Sequence, residues 1–149
     1  PGETERDFAE TLRVVAEAGF DSAYSFIFSP RPGTEAAERQ REFVDHSVSV
    51  ERFERLQQVL NRSAELTHRA RVGRIEEVLV EGPAKRGEDL ITARTRQNKI
   101  VHLPICHGLR AGTYALARIT DAATHYLHGE LVEVTAPPRH RRRIPVTAG

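Results

Sequence analysis

The hydrophobic period of the chain changes after Gly73, and this change constrains the fold more than any other feature. Over residues 49–70, apolar side chains recur at helical spacing and form one stripe. After Gly73, short segments alternate between apolar and polar residues, as in strands with one buried face. The sequence therefore predicts a long helix followed by a small β domain.

Turn residues divide the part after Gly73 into five strand candidates. They are residues 74–81, 89–94, 99–103, 112–120 and 128–134. Five short strands in so little chain favour a small antiparallel barrel, a shape that closes its sheet edges and often binds nucleic acid.

The first residues predict a helix-to-strand step. Thr4 and Asp7 have the spacing of a capping box and Gly19 is a stop signal, which predicts a helix over residues 5–18. The apolar, aromatic run at residues 22–28 is too short for a helix and is predicted to be a strand covered on both faces. Residues 35–48 are predicted to be a connection.

The two halves of the chain differ in charge. Residues 1–70 carry nine arginines against thirteen acidic residues, whereas residues 71–149 carry thirteen lysines and arginines against eight acidic residues. A basic second half favours a polyanionic partner, with nucleic acid first among the candidates. The tail at residues 137–149 is basic and predicted to be disordered.

Cys106 is the only cysteine, so an internal disulfide or an all-thiolate metal site cannot be built from this sequence. No apolar run reaches the length of a membrane span, and the charged first residues lack a signal-peptide pattern. We expect a cytoplasmic protein.

Three segments resemble the carboxyl-terminal part of the MiaB-type tRNA methylthiotransferase family. They are residues 1–4 (Pro-Gly-Glu-Thr), residues 20–34, which include Ser-Pro-Arg-Pro-Gly-Thr, and residues 93–101 (Ala-Arg-Thr-Arg-Gln-Asn-Lys-Ile-Val). The resemblance implies an α+β chain: a helix-strand remnant of a radical S-adenosylmethionine (SAM) (β/α) barrel, a linker helix, and a five-stranded antiparallel, OB-like TRAM barrel. The implied boundaries are 1–48 for the remnant, 49–70 for the linker helix, 71–136 for the TRAM barrel and 137–149 for the tail.

The resemblance also implies a reaction for the parent enzyme, the addition of a 2-methylthio group to N6-isopentenyladenosine beside the tRNA anticodon. Such enzymes use SAM and two [4Fe–4S] clusters held by cysteines that this sequence lacks. We therefore expect a fragment that is inactive alone and does not stably bind these cofactors. Its expected partners are the tRNA anticodon stem-loop and the amino-terminal half of the enzyme.

Two pairs of residues match family positions beside SAM. Gly2 and Glu3 match a segment that approaches the SAM adenine, and the alternative is an ordinary helix entry. Arg31 and Gly33 match the loop after the sixth barrel strand, where Arg31 either binds an anionic group or holds the loop through a salt bridge.

Five residues match the TRAM hairpin and are predicted to bind RNA: Arg94, Thr95, Arg96, Asn98 and Lys99. The cationic side chains would contact phosphates, and a solvated basic face is the alternative. Asn98 either contacts RNA or shapes the turn. No aromatic pair stands beside them in the sequence, which favours binding to the RNA backbone over base readout. We assign no metal site and no catalytic residue.

Two other functions stay open. The first alternative is a self-standing RNA-binding module without catalysis. The second is a part of a related enzyme that acts on a ribosomal protein or on threonylcarbamoyladenosine. These enzymes share the same architecture.

Overall fold

The computed structural model describes residues 1–85, 87, 89–106 and 108–138. They divide into two compact units, Pro1–Thr67 and a second unit that begins at His68. The helices are α1 (Glu5–Ala18), α2 (Glu35–Glu38) and α3 (His46–Arg69), with a 3-10 turn at Gln40–Glu42. The strands are β1 (Ile75–Pro83), β2 (Leu90–Thr95), β3 (Ile100–Pro104), β4 (Tyr114–Ala122) and β5 (Leu127–Ala136).

Helix α1 has the predicted bounds and the predicted capping box. The Asp7 backbone N–H donates to Thr4 Oγ1 at 3.2 Å, and the Thr4 backbone N–H donates to Asp7 Oδ2 at 2.8 Å. Gly19 ends the helix in the left-handed region, at φ 60°. These contacts satisfy amide groups that a helix start otherwise leaves unpaired.

The prediction of a strand at residues 22–28 is wrong. This segment has no strand pairing, and the whole first unit, all of which the structure describes, contains no strand. A strand needs a neighbour for its backbone hydrogen bonds, and none is present within this unit. Two of its aromatic side chains, Tyr24 and Phe26, are 95% and 85% exposed.

The second unit is a closed barrel with the strand order β1-β2-β3-β5-β4. The predicted strands are all present, with bounds shifted by a few residues, so the predicted five-stranded barrel is confirmed. One pairing differs from the antiparallel prediction, because β3 and β5 run parallel, with Val101 opposite Leu127 and His102 opposite His128. The other neighbouring strands pair antiparallel.

The barrel encloses an apolar core, built from the inward positions of every strand and from Leu109 between β3 and β4. Its buried members are Val78, Val80, Ile91, Ala93, Val101, Leu103, Leu109, Ala115, Ala117, Ile119 and Leu127. Because strand side chains alternate between faces, the residues between these positions lie on the outside of the barrel. The predicted tail lies, from residue 139 onward, outside the described residues.

Candidate nucleic-acid interface

The hairpin between β2 and β3 carries the five residues that the sequence predicts to bind RNA. The Asn98 N–H donates to Thr95 O at 2.9 Å, and the Thr95 N–H donates to Lys99 O at 2.9 Å. Asn98 adopts the left-handed region at φ 63°. This is a three-residue hairpin loop closed by a left-handed residue, and asparagine is among the few non-glycine residues that adopt this conformation readily. Asn98 thus shapes the turn.

Arg94 fastens this hairpin to the neighbouring strand. Its Nε and Nη2 donate to the two carboxylate oxygens of Glu81 at 2.8 and 3.2 Å. Its Nη1 donates to Asn98 O and Oδ1 at 3.3 and 3.1 Å. The hydrogen bonds from Arg94 hold the pKa of the Glu81 carboxyl below its usual value. Most of the donors of Arg94 are therefore used in hydrogen bonds within the barrel unit, on its outer face.

Thr95 and Lys99 are buried rather than exposed. Thr95 Oγ1 accepts the Lys99 N–H at 3.1 Å, and both residues have only 5% of their surface exposed. The structure thus brings the five predicted residues together in one hairpin but gives them different surroundings. Their contact with RNA stays a prediction.

Arg96 lies at the hairpin tip and differs from Arg94. Its side chain is 75% exposed, and it pairs with Glu77 through Nε at 3.1 Å and Nη2 at 3.0 Å. An ion pair this exposed contributes little to stability and exchanges easily for another anion. Arg96 is available to a phosphate without disturbing the hairpin.

A polar groove of about 360 Å³ lies beside Arg96. It is lined by Arg71, Arg74, Ile75, Glu76, Glu77, Arg96 and Gln97. Within it, Arg71 Nη1 donates to Glu76 Oε1 at 2.6 Å and to Gln97 Oε1 at 3.3 Å. Arg71 Nε and Glu76 Oε2 are buried without a hydrogen-bond partner among the described residues. Three guanidinium groups therefore line the groove on one side of the barrel, together with the carboxylates of Glu76 and Glu77.

An aromatic cluster that the sequence did not predict lies on the outside of β3 and β5. The ring centroid of Tyr126 lies 5.0 Å from that of His102 and 5.3 Å from that of His128. The parallel pairing of β3 with β5 places the two histidines opposite each other. Local sequence patterns do not reveal pairing between strands that are distant in sequence, so these rings could not be grouped beforehand.

The residues predicted to lie beside SAM belong to the first unit. Gly2 has φ 78°, and its N–H donates to Glu42 O at 2.7 Å. A Cβ at Gly2 would lie 3.1 Å from Glu42 Oε2. The group that lies close to Gly2 is therefore the side chain of Glu42. The Glu3 carboxylate accepts from Arg52 Nη1 at 2.8 Å. These contacts hold Gly2 and Glu3 within the first unit, and their place beside SAM stays a prediction.

Arg31 and Gly33 lie in an exposed turn of the same unit. Thr34 Oγ1 donates to Arg31 O at 2.8 Å, and Gly33 has φ 82° with open space around the position of a Cβ. A cavity of about 330 Å³ is lined mainly by apolar side chains, with Glu3 and Pro30 among its walls. Thus Glu3 and the beginning of this loop border the same cavity.

The donor set does not fit an iron-sulfur cluster, which needs several cysteine thiolates, because Cys106 is the only one. No group of three or more histidine, cysteine and acidic residues suited to a metal occurs among the described residues. No helix in the described part of the chain is long and apolar enough to cross a membrane.

Comparison with known proteins identifies the second unit. Residues 69–132 match the family model of the TRAM domain. This stretch covers all of strands β1–β4 and the beginning of β5.

The chain as a whole is similar to enzymes named tRNA-2-methylthio-N(6)-dimethylallyladenosine synthase. It is 47% identical over 139 residues to the protein of Thermoanaerobacter sp. (strain X514), with 90% of this chain and 28% of the relative covered. It is 41% identical over 133 residues to the protein of Alkaliphilus oremlandii, with 89% of this chain and 28% of the relative covered. It is 41% identical over 137 residues to the protein of Acidovorax sp. (strain JS42), with 91% of this chain and 30% of the relative covered. The chain thus spans less than a third of the length of these relatives.

Proposed function

The chain carries a TRAM domain within a region similar to the tRNA methylthiotransferases, and we propose that it is the tRNA-holding, carboxyl-terminal part of such an enzyme. The proposed reaction of the complete enzyme is the addition of a 2-methylthio group to N6-isopentenyladenosine beside the anticodon. The names of the relatives support this proposal, because they contain the corresponding product, 2-methylthio-N(6)-dimethylallyladenosine in tRNA.

One observation carries the RNA-binding part of this proposal. Arg96 is an exposed cation on a hydrogen-bonded hairpin, and it borders a groove that is also lined by Arg71 and Arg74. Guanidinium groups bind phosphates through several donors at once, and phosphate contacts fix the register of a protein on a nucleic acid. The hairpin and the groove together form a surface suited to an RNA backbone.

The first unit is proposed to form part of the wall of the SAM domain. Gly2, Glu3, Arg31 and Gly33 are the residues that would face the cofactor, and Glu3 borders the apolar cavity. In the complete enzyme, SAM and two [4Fe–4S] clusters would supply the radical and the sulfur chemistry. The residues of this chain would hold the tRNA and exclude water, with the cluster cysteines provided by other parts of the enzyme.

A self-standing RNA-binding module is the second candidate. It is favoured by the closed barrel, which has its own buried core and forms a compact unit by itself. The two candidates differ in their expected preference for RNA: a general module would bind many RNAs alike, whereas the tRNA-holding part would prefer the anticodon arm.

The test compares two RNA hairpins of equal length, an anticodon stem-loop and a hairpin with the acceptor-stem sequence. Fluorescence anisotropy would be measured with the wild-type chain, Arg96→Ala and the matched control Arg13→Ala. Arg13 is also an exposed, ion-paired arginine, but it lies in helix α1. We expect tighter binding to the anticodon hairpin, weakened by Arg96→Ala and not by Arg13→Ala.

Equal affinity for the two hairpins would favour the general RNA-binding module. An absence of binding at low salt would contradict both candidates.

A further inference from the structure

His102, Tyr126 and His128 form a surface that we call the ring cluster. His102 on β3 lies opposite Thr92 on β2 and opposite His128 on β5, so Thr92, His102 and His128 form one row across three strands, and Tyr126 directly precedes β5. The neighbours of His102 and His128 along their strands face the buried core. The row therefore lies on the outside of the barrel.

The rings of the cluster hold one another in place. Tyr126 is T-shaped to His102, at an interplanar angle of 65°, and to His128, at 85°. The two imidazole centroids are 6.3 Å apart. These separations lie in the range that aromatic pairs prefer. The Tyr126 backbone is also held, because its carbonyl accepts the Ala123 N–H at 2.9 Å.

Tyr126 is nevertheless 36% exposed, although its ring packs against two others. An aromatic ring that is fixed in orientation and open to solvent loses little entropy when a second flat ring stacks on it. The pKa of His102 is lowered by burial and by the nearby His128, so the His102 ring is neutral at physiological pH. A neutral ring offers stacking without adding charge.

The ring cluster shares its face of the barrel with the basic hairpin. Thr92 and Arg94 are successive outward positions of β2, and the hairpin tip with Arg96 follows directly. Outward positions on one strand are about 7 Å apart. A strand of RNA whose phosphates contact the hairpin therefore has the rings within reach of a neighbouring base.

We propose that the ring cluster is a stacking platform for one unpaired base of the bound RNA, with the Tyr126 ring as the contact surface. This inference rests on the proposed RNA-binding function and adds a subsite to it. A base held inside a duplex has both faces stacked and cannot use the platform, whereas a loop base can. The platform therefore makes the barrel prefer RNA that contains unpaired nucleotides.

The test uses the full chain, a single-stranded oligoribonucleotide and a blunt RNA duplex. The variants are Tyr126→Ala, Tyr126→Phe and the matched control Tyr114→Ala, because Tyr114 is a 45% exposed tyrosine on β4. We expect Tyr126→Ala to weaken single-strand binding roughly 5- to 150-fold and duplex binding by less than about twofold. Tyr126→Phe and Tyr114→Ala should bind both RNAs within about twofold of the wild type.

A second measurement keeps the proposal testable if Tyr126→Ala unfolds the barrel. Abasic nucleotides are placed at successive positions of the single strand, and their effects are compared between the wild type and Tyr126→Leu. The proposal expects one position where loss of the base weakens wild-type binding and has no effect on the variant.

Three results would overturn the platform. The first is that Tyr126→Ala and Tyr114→Ala bind single-stranded RNA with the same affinity. The second is that Tyr126→Ala weakens single-strand and duplex binding equally. The third is that no abasic position affects the wild type and Tyr126→Leu differently. If Arg96→Ala still weakens binding in these cases, the RNA-binding function stands and only the platform is wrong. If the wild type binds neither RNA at low salt, the function itself is wrong.

Discussion

Arg94 and Arg96 are two residues apart in the sequence, yet their surroundings give them separate roles. The Arg94 guanidinium is held by Glu81 and by two oxygen atoms of Asn98. Arg96 projects from the turn and has one exposed carboxylate partner, Glu77. Arg94 therefore supports the hairpin that presents Arg96. The sequence pattern alone treats the two residues alike.

The first prediction separates these roles by stability. Arg94→Ala removes hydrogen bonds from a half-exposed site and should lower the free energy of unfolding by about 1 kcal/mol. Arg94→Lys should not restore it, because lysine lacks the planar fork. Arg96→Ala should stay within about 0.5 kcal/mol of the wild type. Urea unfolding of the three variants measures this, and equal losses for Arg94→Ala and Arg96→Ala would contradict the assignment.

The second prediction concerns the dependence of stability on pH. Burial first, and then His128, lower the pKa of His102 in the fold. Well above about pH 6.5 both the folded and the unfolded state keep this ring neutral. As the pH falls below that value, the unfolded chain binds a proton that the fold disfavours. The free energy of unfolding therefore decreases until the folded-state pKa is reached.

Replacing the ring should remove part of this decrease. Urea unfolding of the wild type and His102→Gln at pH 7.5 and 5.5 should show a smaller loss of stability for the variant. His46→Gln is the control, because His46 is exposed at the beginning of helix α3. Equal losses for the wild type and His102→Gln would contradict the prediction.

At the scale of elements, alternation of apolar residues predicted the five strands because each strand has one face in the core. It did not predict that β3 and β5 pair in parallel. Strand β4 lies between them in the sequence, and the local alternation of residues does not indicate which distant strands pair. The ring cluster was missed for the same reason. The prediction of a strand at residues 22–28 was wrong for a different reason. The residue types suit a strand, but the first unit contains no other strand with which this segment could pair.

The third prediction tests the closure of the barrel at Gly129. A Cβ there would lie 3.0 Å from the backbone oxygen of Arg118 and 3.2 Å from side-chain carbons of Val101 and Leu103. Gly129→Ala should therefore destabilise the barrel by about 1–3 kcal/mol through overpacking. The neighbouring control, Glu130→Ala, changes an exposed position and should have little effect. Thermal unfolding compares them, and a Gly129→Ala variant as stable as the control would contradict the close approach.

At the scale of the whole molecule, the two units differ in their buried apolar content. Among its described residues, the barrel has a continuous core of eleven buried apolar side chains. In Pro1–Thr67, the buried apolar residues are Phe8, Leu60 and Ala64. The sequence indicated this contrast by its change of period, because only the second unit has the alternating apolar pattern of a barrel core.

The fourth prediction follows from this contrast. Amide hydrogen exchange should be slowest in the barrel strands, where exchange requires opening of a closed sheet. Residues 22–28 should exchange fastest among the residues of the first unit outside its helix ends, because their amides have no strand partner. Mass spectrometry of peptic fragments measures both regions. Protection of residues 22–28 equal to that of β1 or β4 would contradict the structure of this segment.

The most direct test of the account is the salt dependence of RNA binding, because the central claim is that the barrel holds RNA through phosphate contacts at the hairpin. The logarithm of the association constant for an anticodon stem-loop would be measured against the logarithm of salt concentration. The account predicts a linear fall for the wild type and Arg13→Ala, and a slope smaller by about one unit for Arg96→Ala. A wild-type affinity that does not change with salt, or an Arg96→Ala slope equal to that of the wild type, would contradict it.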